Sequence, residues 1–156
     1  MENKITIDQF RGENFYLSNF YIVPIYFEKN HYKSSEHAYQ ARKAIIEEDR
    51  KYVASANTPG YAKIRGRKII CRKTWDKIKV SEMTRIVYCK FSQNEELRKR
   101  LCNTKQAKLI EGNAWNDDFW GKIKDSQGNW IGKNYLGRIL MAVRKKICRI
   151  ENLPEQ

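Results

Sequence analysis

Glu36, Gln40 and Lys43 are a carboxylate, an amide and an amine at i, i+4 and i+7, so on a helix they share one face. A carboxylate can shuttle a proton or activate water, and a desolvated lysine attacks carbonyl carbon. The same Glu–Lys stripe is also what an ordinary surface helix presents, with Lys43 paired to Glu36 or Glu47. Three details separate the readings. Glu36 falls in the first turn, where the helix dipole favours an ionised carboxylate. Ala38, Ala41 and Ile45 fall on the opposite side, and small residues allow close packing. His37 and Tyr39 point to burial on more than one face.

The segment Glu111-Gly-Asn-Ala-Trp-Asn-Asp-Asp-Phe-Trp-Gly121 concentrates two tryptophans, a phenylalanine and two aspartates. It suits either a satellite apolar cluster under a long loop or an aromatic slot for a flat ring with a carboxylate at its edge. Gly128, Gly132 and Gly137 bracket Asn134 ahead of the last helix. Free N–H groups there suit a phosphate or ribose, although Gly137 is better read as a close-packing glycine. Ser18-Asn19-Phe20 offers an amide and a ring at the head of a strand.

The elements that must carry these residues follow from patterning. Ile5 to Asp8 and Phe20 to Glu28 read as strands, the second an edge or bulged strand because of Pro24. Ser34-Ser35 caps the Glu36 helix, and Thr58-Pro59 starts another. Trp75, Ile78, Met83, Ile86, Val87 and Phe91 recur at helical spacing to about Ser92. Leu97 and Leu101 mark a short helix, and Leu136, Ile139, Leu140, Val143 and Ile147 form the stripe of a final one. Asn113 to Lys133 reads as loop. The expected architecture is α+β, a helix-rich single domain over residues 1–156 with a core from about 5 to 150 and a small sheet packed by helices.

Composition bounds the function. Leu, Ile, Val and Phe make up about 22% of 156 residues at net charge +13, just above the level that signals disorder, and nineteen aromatic rings tip the balance to a fold. Between residues 61 and 79, eight cations stand against Asp76 alone. Lys63, Arg65, Arg67, Lys68, Arg72 and Lys73, beside Tyr61 and Trp75, read as a nucleic-acid patch, with a solvated face as the plainer alternative. No apolar run approaches a membrane span, and Met1-Glu-Asn-Lys lacks the basic, then apolar, pattern of a secretory signal. Cys71, Cys89, Cys102 and Cys148 match no zinc or redox spacing and are expected as reduced thiols in a cytoplasmic protein. With two histidines and no metal motif, no metal and no cofactor are expected, nor a membrane or an obligate protein partner.

Six ordered blocks resemble one family. Phe10-Arg-Gly-Glu, Leu17-Ser-Asn-Phe20, Ser35-Glu-His-Ala-Tyr-Gln-Ala-Arg-Lys-Ala44, Trp75 with Met83 and Lys90-Phe91, Asp117-Asp-Phe-Trp-Gly121 and Gly132-Lys-Asn-Tyr-Leu-Gly-Arg-Ile-Leu-Met-Ala-Val-Arg144 resemble the NADAR (NAD- and ADP-ribose-associated), or YbiA-like, family. The resemblance runs from about Ile5 to Arg144. It implies an α+β N-glycosidase. One branch of the family hydrolyses ribosylaminopyrimidine phosphates of riboflavin synthesis, and another removes ADP-ribose from guanine in DNA, reversing a toxin's modification.

Carried over by position, the resemblance implies Glu36, Lys43 and Asp117 as the catalytic groups. Asp117 is preferred to Asp118 for its spacing to Trp120. Trp75 and Trp120 match the aromatic walls, and Asn19 and Asn134 match family amides. Phe20, Gln40, Trp115 and Gly121 complete the expected substrate-binding set. Breaking a ribose C–N bond builds positive charge at the anomeric carbon, which carboxylates stabilise. Lys43 offers attack at C1 instead, through a Schiff base. ADP-ribosylated DNA uses both the pocket and the basic patch. An ADP-ribose-like or riboflavin-pathway small molecule uses the pocket alone, and a non-catalytic nucleic-acid module uses the patch alone.

Overall fold

In a computed structural model describing residues 5–151, Ser34 Oγ accepts from the His37 backbone N–H and starts helix α1 (Ser35–Arg42), which carries Glu36 and Gln40, with Lys43 at its C-cap. The chain forms two compact units, one from residues 19–93 and one from residues 5–18 with 94–151. Each is described separately. The reading of Met1-Glu-Asn-Lys concerns residues outside those described.

In the first unit, strands β1 (Ile25–Phe27) and β2 (Asn30–Tyr32) pair antiparallel, with Phe27 opposite Asn30. The two-residue turn places Glu28 and Lys29 at φ 48° and 63°. Positive φ at both positions suits a type I′ hairpin, although neither residue is the glycine or asparagine that turn prefers. The strand expected over Phe20 to Glu28 is therefore confined to its last residues, ahead of which Pro24 removes a ladder donor.

Helices α2 (Glu47–Ala54), α3 (Pro59–Gly66) and α4 (Trp75–Gln93) pack with α1. Thr58 Oγ1 caps α3 by accepting from Tyr61 N–H, and Pro59 occupies the first turn as expected. Residues Ser35 to Ala41 are all buried, so α1 is central to its unit rather than a surface helix. Ile45, expected on the packed side, lies beyond the helix end and is 56% exposed. The helix ends at Arg42, and Ala44 then forms an antiparallel bridge with Cys71.

In the second unit, β3 (Thr6–Ile7) pairs parallel with β4 (Lys108–Leu109). A 3₁₀ helix over Gly12–Leu17 is tied to α5 (Glu95–Asn103) by Tyr16, whose hydroxyl donates to the Arg100 carbonyl. The expected loop from Asn113 holds a hairpin, β5 (Ile123–Lys124) with β6 (Trp130–Ile131), and leads to α5's packing partner α6 (Tyr135–Glu151). Every member of the predicted α6 stripe, from Leu136 to Ile147, is buried. The helix-rich α+β class stands, and among the described residues the sheet is divided into three two-stranded ribbons.

The cysteine reading needs one correction. Cys102 on α5 and Cys148 on α6 form a disulfide, with Cα atoms 5.8 Å apart. Helix packing joins them across 46 residues, a relation that their spacing alone does not reveal. Cys71 and Cys89 are free thiols. Among the described residues, no helix is long and apolar enough to cross a membrane.

Candidate active site

The Glu36 side of α1 is built from its own periodicity. Gln40 Nε2 donates to Glu36 Oε1 at 2.7 Å, one turn away, and both side chains are buried. Gly66 of α3 makes room for this pair, since a Cβ there would lie 2.1 Å from Gln40 Oε1. That oxygen is buried without a hydrogen-bond partner. The Asn19 carbonyl accepts from Glu36 N–H at 3.0 Å, and its side-chain amide lies 3.4 Å from Met83 Sδ. Asn19 thus closes the start of α1, while Phe20 next to it is 37% exposed.

Lys43 is fixed from the opposite end. Its carbonyl accepts from Arg72 N–H at 3.0 Å, and the Arg72 guanidinium donates to the Ala44 carbonyl at 3.1 Å. The amine forms no ion pair with Glu36 or Glu47, the latter being paired to Arg50. It lies 5.4 Å from the Tyr39 ring centroid, and Tyr39 meets the buried Trp75 at 5.0 Å between centroids. Burial depresses the Lys43 pKa below its ordinary value. Glu36 and Cys71 oppose the shift, and the charges of Arg67 and Lys63 add to it. A partly desolvated amine in the field of a carboxylate has the chemistry of a nucleophile.

The basic segment divides by role. Arg65 donates to the Tyr52 carbonyl and to Ser55 Oγ, and its guanidinium stacks 4.6 Å from the Tyr52 centroid. Arg72 is occupied at the Lys43 end of α1. Arg67, Lys68 and Lys73 are exposed and Lys63 is partly so. Of the six patch residues, these four are presented outward.

The aromatic loop belongs to the second unit. Asp117 Oδ1 accepts from Phe119 N–H at 3.1 Å and Trp120 N–H at 2.9 Å, so one oxygen of the expected catalytic carboxylate shapes the turn that carries Trp120. Asn113 braces that turn through the Asp117 backbone. Phe119, Trp120 and Tyr135 form one aromatic cluster, with centroids 4.7 to 6.4 Å apart. Trp115 is 55% exposed under the Arg11 guanidinium. Asn134, at φ 53°, is buried. Its Oδ1 accepts from Glu111 N–H, and its Nδ2 donates to the Leu109 carbonyl. Its amide therefore fastens the start of α6 to β4. A Cβ at Gly121 would lie 2.2 Å from the Glu111 carbonyl, and one at Gly137 would lie 2.2 Å from the Leu109 carbonyl, so both glycines serve close packing.

Sequence reasoning did not place Tyr39, Gly66 or Cys71 at the site. Tyr39 had a signal, since it lies four residues before Lys43 on the same helix. Gly66 and Cys71 come close only through tertiary packing.

Comparison with known proteins places the chain in a family. The NADAR domain family model matches residues 8–148. The N-glycosidase YbiA of Shigella flexneri is 37% identical over 133 residues, covering 84% of this chain and 80% of that protein. A riboflavin biosynthesis protein, PYRR, of Zea mays is 32% identical over 124 residues, covering 72% of this chain and 19% of that protein. The NMR structure of YbiA from E. coli superposes with a TM-score of 0.81 at 33% identity, covering 100% of this chain and 91% of that one.

Proposed function

The chain belongs to the NADAR domain family and is an enzyme of its N-glycosidase kind, and on that premise we propose that it removes ADP-ribose from ADP-ribosylated guanine in DNA. The observation that carries the reading is Lys43: an unpaired, partly buried amine with a lowered pKa, in the field of the buried Glu36. Lys63 and Arg67 act on the same amine and present positive charge where a phosphate-rich substrate would approach.

The reaction consumes one water and moves no net electrons. As the bond between C1 and the ribose ring oxygen opens and that oxygen takes a proton, C1 becomes an iminium carbon attached to the guanine nitrogen. Neutral Lys43 adds to C1. A proton passes from the lysine nitrogen to the guanine nitrogen, the C1–guanine bond breaks, and guanine leaves as its amine. Water then adds to the lysine–C1 imine, the C1–lysine bond breaks and ADP-ribose departs. Glu36 is the proton carrier beside the amine. Asp117 is proposed as a second carboxylate through its remaining oxygen, with Trp75, Trp115 and Trp120 as aromatic surfaces for the base. In this reading the protein acts in the cytoplasm to reverse a toxin's modification.

The similarity to the maize riboflavin protein favours a second reading, hydrolysis of a ribosylaminopyrimidine phosphate. A metabolite with one phosphate has little use for four outward cations, so the DNA reading is preferred. Incubation with an ADP-ribosylated oligonucleotide should release ADP-ribose. Glu36→Ala and Lys43→Ala should each lower that rate by about a hundredfold or more while the circular dichroism spectrum is retained. Unchanged release in both variants would overturn the assignment.

A further inference from the structure

A cavity of about 480 Å³ lies within the second unit, lined by Gln9, Arg11, Gly112, Asn116, Lys124 and Trp130, with Asn113, Ala114 and Ile123. Its volume is in the range of small-ligand sites. No carboxylate lines it, and its two cations have no acidic partner among the described residues. Each rests on an indole instead. The Arg11 guanidinium lies 5.6 Å from the Trp115 centroid, and Lys124 Nζ lies 4.9 Å from that of Trp130. Cation–π contact holds the two groups in place but leaves their N–H donors unspent.

The wall is rigid where an aromatic ligand would meet it. Trp130 lies so close to Gly112 that a Cβ there would come within 2.6 Å of the ring, and within 2.1 Å of the Asp8 carbonyl on its other side. The carboxamide of Asn113 is consumed by the Asp117 turn. Those of Gln9 and Asn116 are not engaged among the described residues, and each offers both a donor and an acceptor, the pair a nucleobase edge requires.

The geometry points to a binding site for a phosphorylated nucleoside, with Arg11 and Lys124 on the phosphate, Trp130 on the ring and Gln9 and Asn116 on its polar edge. The lining residues share no member with the Glu36–Lys43 cluster, although Arg11 rests on Trp115, which the reaction proposed above uses as an aromatic surface. A free mononucleotide and one nucleotide of a strand present the same chemistry.

Titrating AMP into ¹⁵N-labelled protein tests it. The amides of Gly112, Asn116 and Lys124 should shift on binding. The double variant Arg11→Gln/Lys124→Gln, at two exposed positions, should bind about tenfold more weakly or worse with its spectrum otherwise intact. Adenosine and inorganic phosphate should each bind at least about tenfold more weakly than AMP. A phosphorylated tetranucleotide that binds more tightly than AMP assigns a strand as the source, and equal or weaker binding assigns the free nucleotide. The proposal is overturned if AMP shifts only residues outside the cavity, if the double variant binds as well as the parent, or if phosphate alone binds as tightly as AMP. Each of those results leaves ADP-ribose release by Lys43 untouched, so the two failures are distinguishable.

Discussion

Gln40 Nε2 donates to Glu36 Oε1 at 2.7 Å, and the other end of the same carboxamide fills the space that a Cβ at Gly66 would need. The glycine, the amide and the carboxylate thus form a relay across two helices. It orients a buried carboxylate. One side of the relay cannot change without moving the other.

Gly66→Ala should therefore displace Gln40 and loosen Glu36. The expected loss in kcat is about tenfold or more, similar to that of Gln40→Ala. Because both substitutions break one contact, the double variant should lose less than the two single losses combined. Additive losses in a double-mutant cycle would mean that Gly66 does not act through Gln40.

In the proposed reaction Lys43 sets a pH limb. Burial lowers its pKa, so the neutral, nucleophilic form is populated at lower pH than for a free lysine of ordinary value 10.5. The limb should rise with pH, with a midpoint below 10.5 and absent from Lys43→Ala. Borohydride added during turnover should leave a reduced ribosyl adduct that peptide mapping places on Lys43. An adduct that persists in Lys43→Ala would contradict the nucleophile.

In the proposed reaction Asp117 divides its two oxygens between structure and chemistry. Asp117→Asn retains an acceptor for the Phe119 and Trp120 N–H groups, so its melting temperature should stay near that of the parent. Asp117→Ala loses the acceptor and should cost about 1–3 kcal/mol. Both should lose most ADP-ribose release. An active Asp117→Asn would reduce this residue to a turn former.

His37 is a stability group. Burial depresses its pKa below the ordinary 6.5, against the opposing bond to the Ala56 carbonyl, while the Lys33 charge adds to the shift. Its ring nitrogens meet Ser34 Oγ at 2.8 Å and the Ala56 carbonyl at 2.9 Å. Between the depressed native value and 6.5, the unfolded chain binds more protons than the folded one. Stability from this group is full above 6.5 and is lost as pH falls through that window. The melting temperature should drop from pH 7.5 to 5.5, with a smaller drop in His37→Gln. Equal slopes in both proteins would rule out His37 as the source.

Helices with strong apolar repeats were legible in the chain. The α4 and α6 stripes and the caps at Ser34 and Thr58 appear where their residue types place them. Helix α2 carried no such signal because Val53 is its one buried residue. The β1–β2 turn uses Glu28 and Lys29, which lack turn character, and the paired strands β5 and β6 are two residues each. At the site, the Glu36, Gln40 and Lys43 face was readable from helical spacing. The disposition of Arg65 and Arg72 was not, because a cation held by backbone carbonyls looks the same in sequence as one facing solvent. Asn134 shows the same limit, since its buried amide is committed to Glu111 and Leu109.

The central claim is tested most directly by comparing kcat/KM on a DNA oligonucleotide carrying ADP-ribosylated guanine with kcat/KM on a ribosylaminopyrimidine phosphate, each at low and high salt. ADP-ribose should be released from the DNA with the larger kcat/KM, and that advantage should fall steeply as salt rises because outward cations are neutralising phosphates. Turnover of the pyrimidine at a salt-insensitive rate, with no ADP-ribose released from the DNA, would contradict it.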